Sequence, residues 1–171
     1  FIRTVDNFPI DGIAFRDITS LIETPEAFVK TCDELTKITR NFGADIVASI
    51  ESRGFIFAGT IARDLNLPFV LARKPGKLPN ETYKKSFDLE YGSTSIEIQK
   101  NTEIKNNQKI VIVDDLVATG GTAIACSEIF TENFNVKSEN ILILSIIDLP
   151  ELGGSRLISE KGYLIETLID Y

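Results

Sequence analysis

Residues 110–122 read IVIVDDLVATGGT, and this stretch decides the fold. Four β-branched residues come first, which is the pattern of a parallel strand buried on both faces. Two carboxylates, Asp114 and Asp115, stand at the carboxyl end of that strand, and small residues then lead into a helix. Ligands of open α/β sheets bind in the crevice beyond the carboxyl ends of the strands. The stretch therefore predicts an α/β protein with a ligand site at this strand end.

The small residues after the strand are suited to hold a phosphate. The start of a helix leaves backbone N–H groups without partners and carries the positive end of the helix dipole. The run Thr119-Gly120-Gly121-Thr122 adds two hydroxyl donors, and its glycines let a ligand approach the backbone closely. The carboxylates beside this run would repel a phosphate, but they would accept hydrogen bonds from sugar hydroxyls. The predicted ligand is a sugar phosphate.

Other structures also place an acidic pair or a glycine-rich turn after a strand. Receiver domains of signalling proteins carry their acidic pair near the N-terminus and a phospho-acceptor much later, but only 56 residues follow Asp115 here. The chain contains neither G-x-G-x-x-G nor G-x-x-x-x-G-K, so the dinucleotide fingerprint and the P-loop are absent. A purely structural turn, with glycine for packing, stays open as an alternative.

Helix and strand patterns alternate on both sides of this stretch. A helix is predicted from Pro25, with Thr24 as its N-cap and Gly43 as its stop, because apolar residues recur there at helical spacing. The alternation is typical of a parallel sheet with crossover helices. Further helices are predicted at 55–65 and 119–134, and strands at 45–50, 68–72, 95–98, 109–113, 140–147 and 163–169. We expect one domain over residues 1–171, with an irregular segment at 1–22.

The composition excludes several classes of chemistry. The 171 residues include no His, Met or Trp, so a Ser-His-Asp triad, a Cys-His pair and an imidazole metal site are impossible. Cys32 and Cys126 lie 94 residues apart and cannot form a C-x-x-C motif; we expect two buried thiols in a reducing compartment. The chemistry has to use carboxylates, Lys, Arg, Tyr, backbone amides or a cation bound by oxygen.

Charge and hydropathy limit the partners of the chain. Eighteen basic and 25 acidic residues give a net charge of −7, whereas broad nucleic-acid binding needs a basic field. No apolar run approaches the length of a membrane span, and no signal peptide is recognisable at the start. We expect a soluble, cytoplasmic protein with neither nucleic-acid nor membrane partners. The chain begins at Phe1 and not at Met, so we expect that the true N-terminus is missing.

One segment, residues 73–85, reverses the overall charge and is called the basic segment below. It holds five basic residues against one acidic residue, Glu81. The basic residues are Arg73, Lys74, Lys77, Lys84 and Lys85. Because it directly follows a strand end, we predict that it attracts an anionic substrate. A solvated basic loop is the alternative. Together with the polar residues that follow, it is expected to form a long loop over about residues 74–94.

The chain resembles the type I phosphoribosyltransferases, and within them the adenine-specific group. The stretch at 110–122 is similar to the motif that binds 5-phosphoribosyl-1-diphosphate (PRPP). Further stretches occur in family order over nearly the whole chain. They are Phe8-Pro9 with Gly12–Thr19, Glu51–Phe55, Arg73–Pro79 and Leu89–Gly92. The resemblance implies an α/β, type I phosphoribosyltransferase-like open parallel sheet with flanking helices, a small N-terminal hood at 1–22, and a mobile catalytic loop at about 74–94.

The resemblance also implies a reaction, in which the phosphoribosyl group of PRPP passes to adenine and gives AMP and pyrophosphate. This is a step of purine salvage. It implies Mg²⁺ as the cofactor, held mainly by the substrate and not directly by protein ligands, and a homodimer as the assembly.

Roles for individual residues follow from the same resemblance. Ribose and 5-phosphate would be held by Asp114, Asp115, Ala118, Thr119, Gly120, Gly121 and Thr122. Pyrophosphate would be held by Arg53, Arg73, Lys74 and Lys77, next to a Glu51–Ser52 peptide bond that is the candidate for a cis bond. Adenine would be held by Ala14, Phe15 and Arg16. The catalytic residues would be Asp114, Asp115 and the general acid/base Glu90, with Tyr91 beside it in the loop.

Simpler roles stay open for several of these residues. Phe15 is equally consistent with core packing, and Arg16 with an ion pair to Asp17. Glu90 is also consistent with a solvated carboxylate and Tyr91 with a half-buried anchor.

Two other functions also remain. A PRPP-sensing regulator on the same fold adds a DNA-binding domain and alters the Thr-Gly-Gly-Thr run, which is intact here at residues 119–122. A phosphoribosyltransferase for another base would differ in the hood, and Gly12–Thr19 resembles only the adenine-specific group.

Overall fold

The computed structural model describes residues 1–89 and 92–171, in which strands and helices alternate along the chain. In chain order the elements are β1 (Arg3–Asp6), β2 (Ala14–Asp17), α1 (Thr19–Glu23), α2 (Pro25–Phe42), β3 (Ile46–Ile50), α3 (Gly54–Leu65), β4 (Phe69–Ala72), β5 (Thr82–Leu89), β6 (Gly92–Gln99), β7 (Ile110–Val117), α4 (Gly121–Asn133), β8 (Ile141–Asp148), α5 (Gly154–Glu160) and β9 (Leu164–Asp170).

Five parallel strands form the central sheet in the order β4-β3-β7-β8-β9. Three helices connect neighbouring strands of this sheet: α3 joins β3 to β4, α4 joins β7 to β8, and α5 joins β8 to β9. Parallel strands need a crossover connection of this kind. The predicted open parallel sheet with flanking helices is confirmed. Strand β7 lies in the middle of the sheet, so its carboxyl end opens between two neighbouring strands.

Two apolar cores cover the two faces of the sheet. Ile46, Ala48 and Ile50 of β3 pack with α4, α5 and the β5–β6 hairpin, whereas Val47 packs with α2 and α3. This division follows from the pleat, because successive side chains of a strand point to opposite faces. The continuous apolar runs of β3, β7 and β8 are therefore buried on both sides.

The prediction of a long loop at about 74–94 is wrong for its second half. Thr82–Leu89 pairs with Gly92–Gln99 as an antiparallel hairpin. Its inward side chains are Tyr83, Lys85 and Phe87, all half-buried, and they alternate with exposed Lys84 and Ser86. The period of two was present in the sequence, but a charged residue stands at one of the inward positions and conceals it. The mobility of this segment stays a prediction.

The N-terminal segment at 1–22 is more regular than expected. β1 and β2 form a two-stranded antiparallel pair, and α1 follows directly. The turn between the strands contains a cis Phe8–Pro9 bond and Gly12 at a φ of +86°. Both strands have only four residues and none of these is fully buried, so no apolar pattern in the sequence predicts them. Helix α5 was missed as well, because it is a short helix of seven residues between two turns.

The other elements agree with their sequence signals. Helix α2 has Pro25 in its first turn and ends at Gly43, which adopts a left-handed conformation with a φ of +73°. Strand β7 continues past both carboxylates to Val117, because Leu116 and Val117 pair with β8. Both cysteines are free and buried. Within residues 1–89 and 92–171, we find no helix with the length and apolar character needed to cross a membrane.

Candidate functional site

A cavity of about 290 Å³ opens at the carboxyl ends of β3 and β7. Its walls come from the turn after β3, the basic segment, the hairpin and the end of β7. The lining residues are Ile50, Glu51, Ser52, Arg53, Lys74, Phe87, Thr94, Ser95, Ile96, Asp114, Asp115, Leu116 and Thr122. A second cavity of about 180 Å³ surrounds residues 116–123 and shares Asp114, Leu116 and Thr122 with the first. The predicted strand end is therefore a continuous concave site.

The segment Ala118–Thr122, called the phosphate turn below, closes one end of this site. Gly120 is the N-cap of α4 and has a φ of +80°, a conformation that side chains with a Cβ rarely adopt. The N–H of Ile124 bonds the carbonyl oxygen of Gly120 at 2.9 Å, so the helical ladder starts there. The amides that precede Ile124 form the first turn of α4, where N–H groups have no partner within the helix. Residues 116–123, which include this first turn, line the second cavity.

The two carboxylates occupy neighbouring positions of β7 beside the phosphate turn. Asp115 is 3% exposed, and Asp114 is half-buried. The backbone N–H of Asp115 donates to Oδ1 of Asp114 at 2.9 Å. Burial, together with the neighbouring charge of Asp115, raises the pKa of Asp114 well above its usual range. Burial also raises the pKa of Asp115, while the nearby Arg53 opposes that rise. Both groups are placed where a cationic or hydroxyl-rich ligand would stabilise them.

Arg53 connects the carboxylates to the N-terminal hood. Its Nε lies 2.9 Å from Oδ2 of Asp115, and its guanidinium carbon lies 5.2 Å from the ring centre of Phe15. Phe15 in turn packs edge-to-face on Phe8, with ring centres 5.0 Å apart. The aromatic face, the cation and the carboxylate thus form one chain of contacts from the hood into the cavity.

The turn Glu51–Gly54 is held against β7 by contacts that sequence analysis missed. A Cβ on Gly54 would lie 2.6 Å from Ser49 Oγ and 2.7 Å from the carbonyl oxygen of Val113, so only glycine fits. Ser49 Oγ donates to the same carbonyl at 2.7 Å. The Glu51–Ser52 bond is cis, as the resemblance implied. No local signal identifies Ser49 or Gly54, because their partners lie on another strand.

The basic segment presents less charge to the cavity than its sequence suggests. Arg73 donates through Nε and Nη2 to the two carboxylate oxygens of Glu51, at 3.2 and 3.1 Å, and through Nη1 to the carbonyl oxygen of Lys77. Arg73 is the main reason why the pKa of Glu51 is lowered. Lys85 turns away to Glu128 and Glu132 of α4.

The remaining basic residues divide between the cavity and solvent. All three of Lys74, Lys77 and Lys84 are exposed, but only Lys74 is among the described lining residues of the cavity. The excess of four positive charges in the sequence is therefore partly neutralised by carboxylates from elsewhere in the chain.

The three predicted adenine residues lie at the edge of the site. Ala14 is exposed, Phe15 and Arg16 are half-buried, and none of them is among the described lining residues of the cavity. Arg16 does not pair with Asp17, which instead accepts a hydrogen bond from Arg3 at 3.0 Å. The guanidinium of Arg16 contacts Thr4 and lies over the ring of Tyr171, 4.4 Å from its centre.

The general acid/base predicted at Glu90, and its neighbour Tyr91, lie outside the described residues. The adjoining hairpin does reach the cavity, through Phe87, Thr94 and Ser95. These three cavity-lining side chains were not predicted from the sequence, because one aromatic and two small polar residues of a hairpin form no distinctive motif.

The described residues offer few ligands for a metal ion. Across 1–89 and 92–171, no group of three or more His, Cys, Asp or Glu side chains is arranged to hold one. Asp114 and Asp115 are nonetheless two adjacent carboxylates at a cavity, which is the protein contribution that Mg²⁺ takes when substrate phosphates and water supply its other ligands. The donor set therefore fits a cation that arrives with a phosphorylated substrate.

Known proteins resemble this chain in both sequence and fold. A family model of the phosphoribosyl transferase domain matches residues 19–154. The adenine phosphoribosyltransferases of Agathobacter rectalis and Pelagibacter ubique are 43% and 41% identical to this chain, over 100% of it and 95% of each relative.

Solved structures agree with these relatives. The adenine phosphoribosyltransferase of Thermoanaerobacter pseudethanolicus has a TM-score of 0.90 at 38% identity, covering 99% of this chain and 95% of that one. The APRTase of Giardia lamblia, complexed with 9-deazaadenine, has a TM-score of 0.90 at 35% identity, covering 100% of this chain and 94% of that one. Similarity of sequence and of fold along the whole chain thus places it in the adenine phosphoribosyltransferase family, among the type I phosphoribosyltransferases.

Proposed function

We propose that the cavity beside Asp114 and Asp115 is where this chain transfers the phosphoribosyl group of PRPP to adenine, with AMP and pyrophosphate as products. One observation carries this proposal most strongly: the N-terminus of α4 and the acidic pair open into connected cavities at one strand end. A phosphate and a ribose that are joined to each other need this juxtaposition of donors and acceptors.

The phosphate turn would hold the 5-phosphate. The turn lines the second cavity at the N-terminus of α4, where unpaired N–H groups and the positive end of the helix dipole favour an anion. Thr119 and Thr122 add hydroxyl donors. A fixed phosphate orients the ribose for attack, and such positioning accounts for a large part of the rate in two-substrate reactions.

The carboxylates would hold the ribose hydroxyls and oppose the charge that develops on the sugar. The bond from the anomeric carbon to pyrophosphate breaks with positive charge on the ribose ring, so nearby negative charge lowers the barrier. Asp114 and Asp115 lie at the correct end of β7 for both tasks. Burial raises the pKa of both groups, and the charge of Asp115 raises that of Asp114 further, so a cationic transition state would stabilise their ionised forms.

Pyrophosphate would leave toward Arg53, Lys74 and the backbone of the turn Glu51–Gly54. Arg53 and Lys74 line the cavity from two different segments, which lets them contact an extended anion together. Arg73 is oriented by its two bonds to Glu51, and Lys77 lies in the exposed part of the same segment. We assign both to the approach of the substrate and to its outer phosphate.

Asp114 and Asp115 would help to hold a Mg²⁺ ion that is bound mainly by the substrate. The ion would neutralise charge on the leaving pyrophosphate. This assignment rests on the oxygen donors at the cavity and on the family resemblance.

Adenine would bind between the hood and the cavity. The ring of Phe15 supplies an apolar face next to Arg53, and backbone groups of Ala14 and Arg16 would read the edge of the base. By resemblance, Glu90 would exchange the purine proton, with Tyr91 beside it in the loop. A carboxylate suits this role in a chain without His, because partial desolvation brings its pKa toward neutrality.

We further propose a homodimer in the cytoplasm. Large apolar side chains such as Ile56 and Leu71 are 41% and 37% exposed, which supports a subunit contact. Two free cysteines support a reducing compartment. Light scattering in solution would test the dimer, and a monomer at micromolar concentration would contradict it.

A steady-state assay tests the function. We expect PRPP-dependent release of pyrophosphate with adenine, and weak competition by hypoxanthine, guanine, xanthine or orotate. If another free base reacted faster than adenine, that base would be the substrate. Binding of PRPP without turnover would favour a PRPP-sensing regulator.

Phe15→Ala tests the hood. Loss of the stacking face should raise the KM for adenine about tenfold, since aromatic stacking on a base contributes about 1–3 kcal/mol. The KM for PRPP should stay near the wild-type value. Equal KM values for adenine in wild type and variant would mean that Phe15 only packs against Phe8.

A further inference from the structure

Gly154 stands directly behind the phosphate turn, although no role in the proposed reaction involves it. It is buried and begins α5. Its N–H donates to the carbonyl oxygen of Ala118 at 3.1 Å, and the N–H of Leu149 donates to that of Val117 at 3.0 Å. The connection from β8 to α5 is thus fastened to the backbone that leads into the phosphate turn.

The contact between the two segments leaves no room for a side chain. A Cβ on Gly154 would lie 2.2 Å from the carbonyl oxygen of Ala118, 2.6 Å from the nitrogen of Gly120 and 2.8 Å from the carbonyl carbon of Thr119. All three atoms belong to the backbone, so none can rotate away. From the other side, a Cβ on Gly120 would lie 2.9 Å from the carbonyl oxygen of Gly154.

The need for glycine at this position comes from that contact and not from the local conformation. Gly154 is not among the glycines with positive φ, whereas its neighbour Gly153 has a φ of +72°. A helix start that Ala can adopt gains nothing locally from Gly, which is less favourable than Ala in a helix. The close approach to the phosphate turn is the feature that excludes a Cβ.

We infer that Gly154 is a positioning residue for the reaction, because its backbone braces the phosphate turn and sets where the phosphate-binding amides lie. This inference rests on the proposed function of the turn. Hydrogen bonds to a phosphate need donor–acceptor distances of about 2.7–3.2 Å, so a displaced turn loses several of them together. Gly154 itself touches no substrate; it acts through Ala118, Thr119 and Gly120.

Gly154→Ala is the direct test, and Gly59→Ala is its matched control. A Cβ on Gly59, inside α3, meets nothing within 4 Å. We expect Gly154→Ala to raise the Kd for AMP and the KM for PRPP about tenfold or more, because small misplacements of binding groups have effects of this size or larger. The KM for adenine should change little. Gly59→Ala should keep wild-type constants.

Gly153→Ala separates the brace from plain destabilisation. Its Cβ meets nothing, but its positive φ makes the change strained. It should lower the melting temperature while leaving the Kd for AMP unchanged. Calorimetric titration of AMP and melting by circular dichroism supply both readouts without requiring turnover.

The outcomes separate this inference from the proposed function. A folded Gly154→Ala with wild-type constants for AMP and PRPP overturns the brace, and so does an equal rise in the KM for adenine. A Gly154→Ala that does not fold also overturns it, since a brace confined to one turn leaves both cores intact. A wild-type protein that binds AMP but does not turn over PRPP and adenine contradicts the proposed function instead.

Discussion

The phosphate turn and the basic segment both border the cavity, but different interactions hold their functional groups in place. In the phosphate turn, the proposed donors are backbone amides, and the backbone conformation of Gly120 at the start of α4 sets their direction. In the basic segment, the functional groups are long side chains, and carboxylates from other elements decide where they point. Glu51 holds Arg73, and Glu128 and Glu132 hold Lys85. A motif of backbone groups thus predicts where its donors lie. A cluster of charged residues shows only which charges are present, and not where their side chains point.

Valine at two glycines should give the largest difference between these regions. Gly120 and Gly76 have similar φ angles, +80° and +74°, but only Gly120 has backbone within contact distance of a Cβ. Gly120→Val should reduce AMP affinity about 100-fold or more, because it displaces the amides that we propose as phosphate donors. Gly76→Val carries the same strain and should have a much smaller effect. Calorimetric titration measures both affinities. A similar loss of AMP affinity in both variants would contradict a special role of the backbone at Gly120.

Substitution of two lysines within the basic segment should have different effects. Lys74 lines the cavity, and a charge-assisted hydrogen bond of about 1.5–3 kcal/mol to pyrophosphate predicts a KM for PRPP at least tenfold higher in Lys74→Ala. Lys85 pairs with α4, so Lys85→Ala should lower the melting temperature and leave that KM near wild type. An equal rise of KM in both variants would show that net charge matters more than side-chain direction.

The pH dependence of stability should have opposite signs for two carboxylates that adjoin these regions, Asp114 before the phosphate turn and Glu51 beside the basic segment. Burial and Asp115 raise the pKa of Asp114, so its ionised form destabilises the folded state at neutral pH. Asp114→Asn should therefore raise the melting temperature at neutral pH while activity falls. The advantage should shrink as the pH drops through the raised pKa and vanish below the unfolded value of about 3.9. A variant that is less stable than wild type at neutral pH would contradict this account.

The smallest effect is expected at Glu51. Arg73 lowers the pKa of Glu51, so the pair stabilises the fold above the unfolded pKa and is lost as the pH falls through the lowered value. Glu51→Gln should cost up to about 1 kcal/mol at neutral pH, a typical value for a partly exposed ion pair, and nothing in strong acid. Denaturant titrations at both pH values measure the difference. A cost that persists in acid would assign the stabilisation to hydrogen bonds without charge.

The sequence identified those parts of the site that consecutive residues build. The strand Ile110–Val117, its two carboxylates and the phosphate turn form one uninterrupted stretch, and the structure brings them together as predicted. The parallel sheet was predictable for the same reason, since each strand carries its own apolar run.

Features that depend on distant partners were not predictable. Gly54 is required by β7, and Gly154 by the phosphate turn. The Glu51–Arg73 pair joins residues that are 22 positions apart. The hairpin was mistaken for a loop because Lys85, an inward residue of β5, is charged and finds its partners on α4. Such pairings arise from packing in three dimensions and leave no periodic pattern in the chain.

The most direct test of the central claim is a crystal structure of the protein with AMP. We expect the 5-phosphate within hydrogen-bond distance of the backbone amides of residues 119–122, the ribose hydroxyls on Asp114 and Asp115, and the base toward Phe15. A phosphate bound instead by Lys74 and Arg73, with the phosphate turn empty, would contradict it.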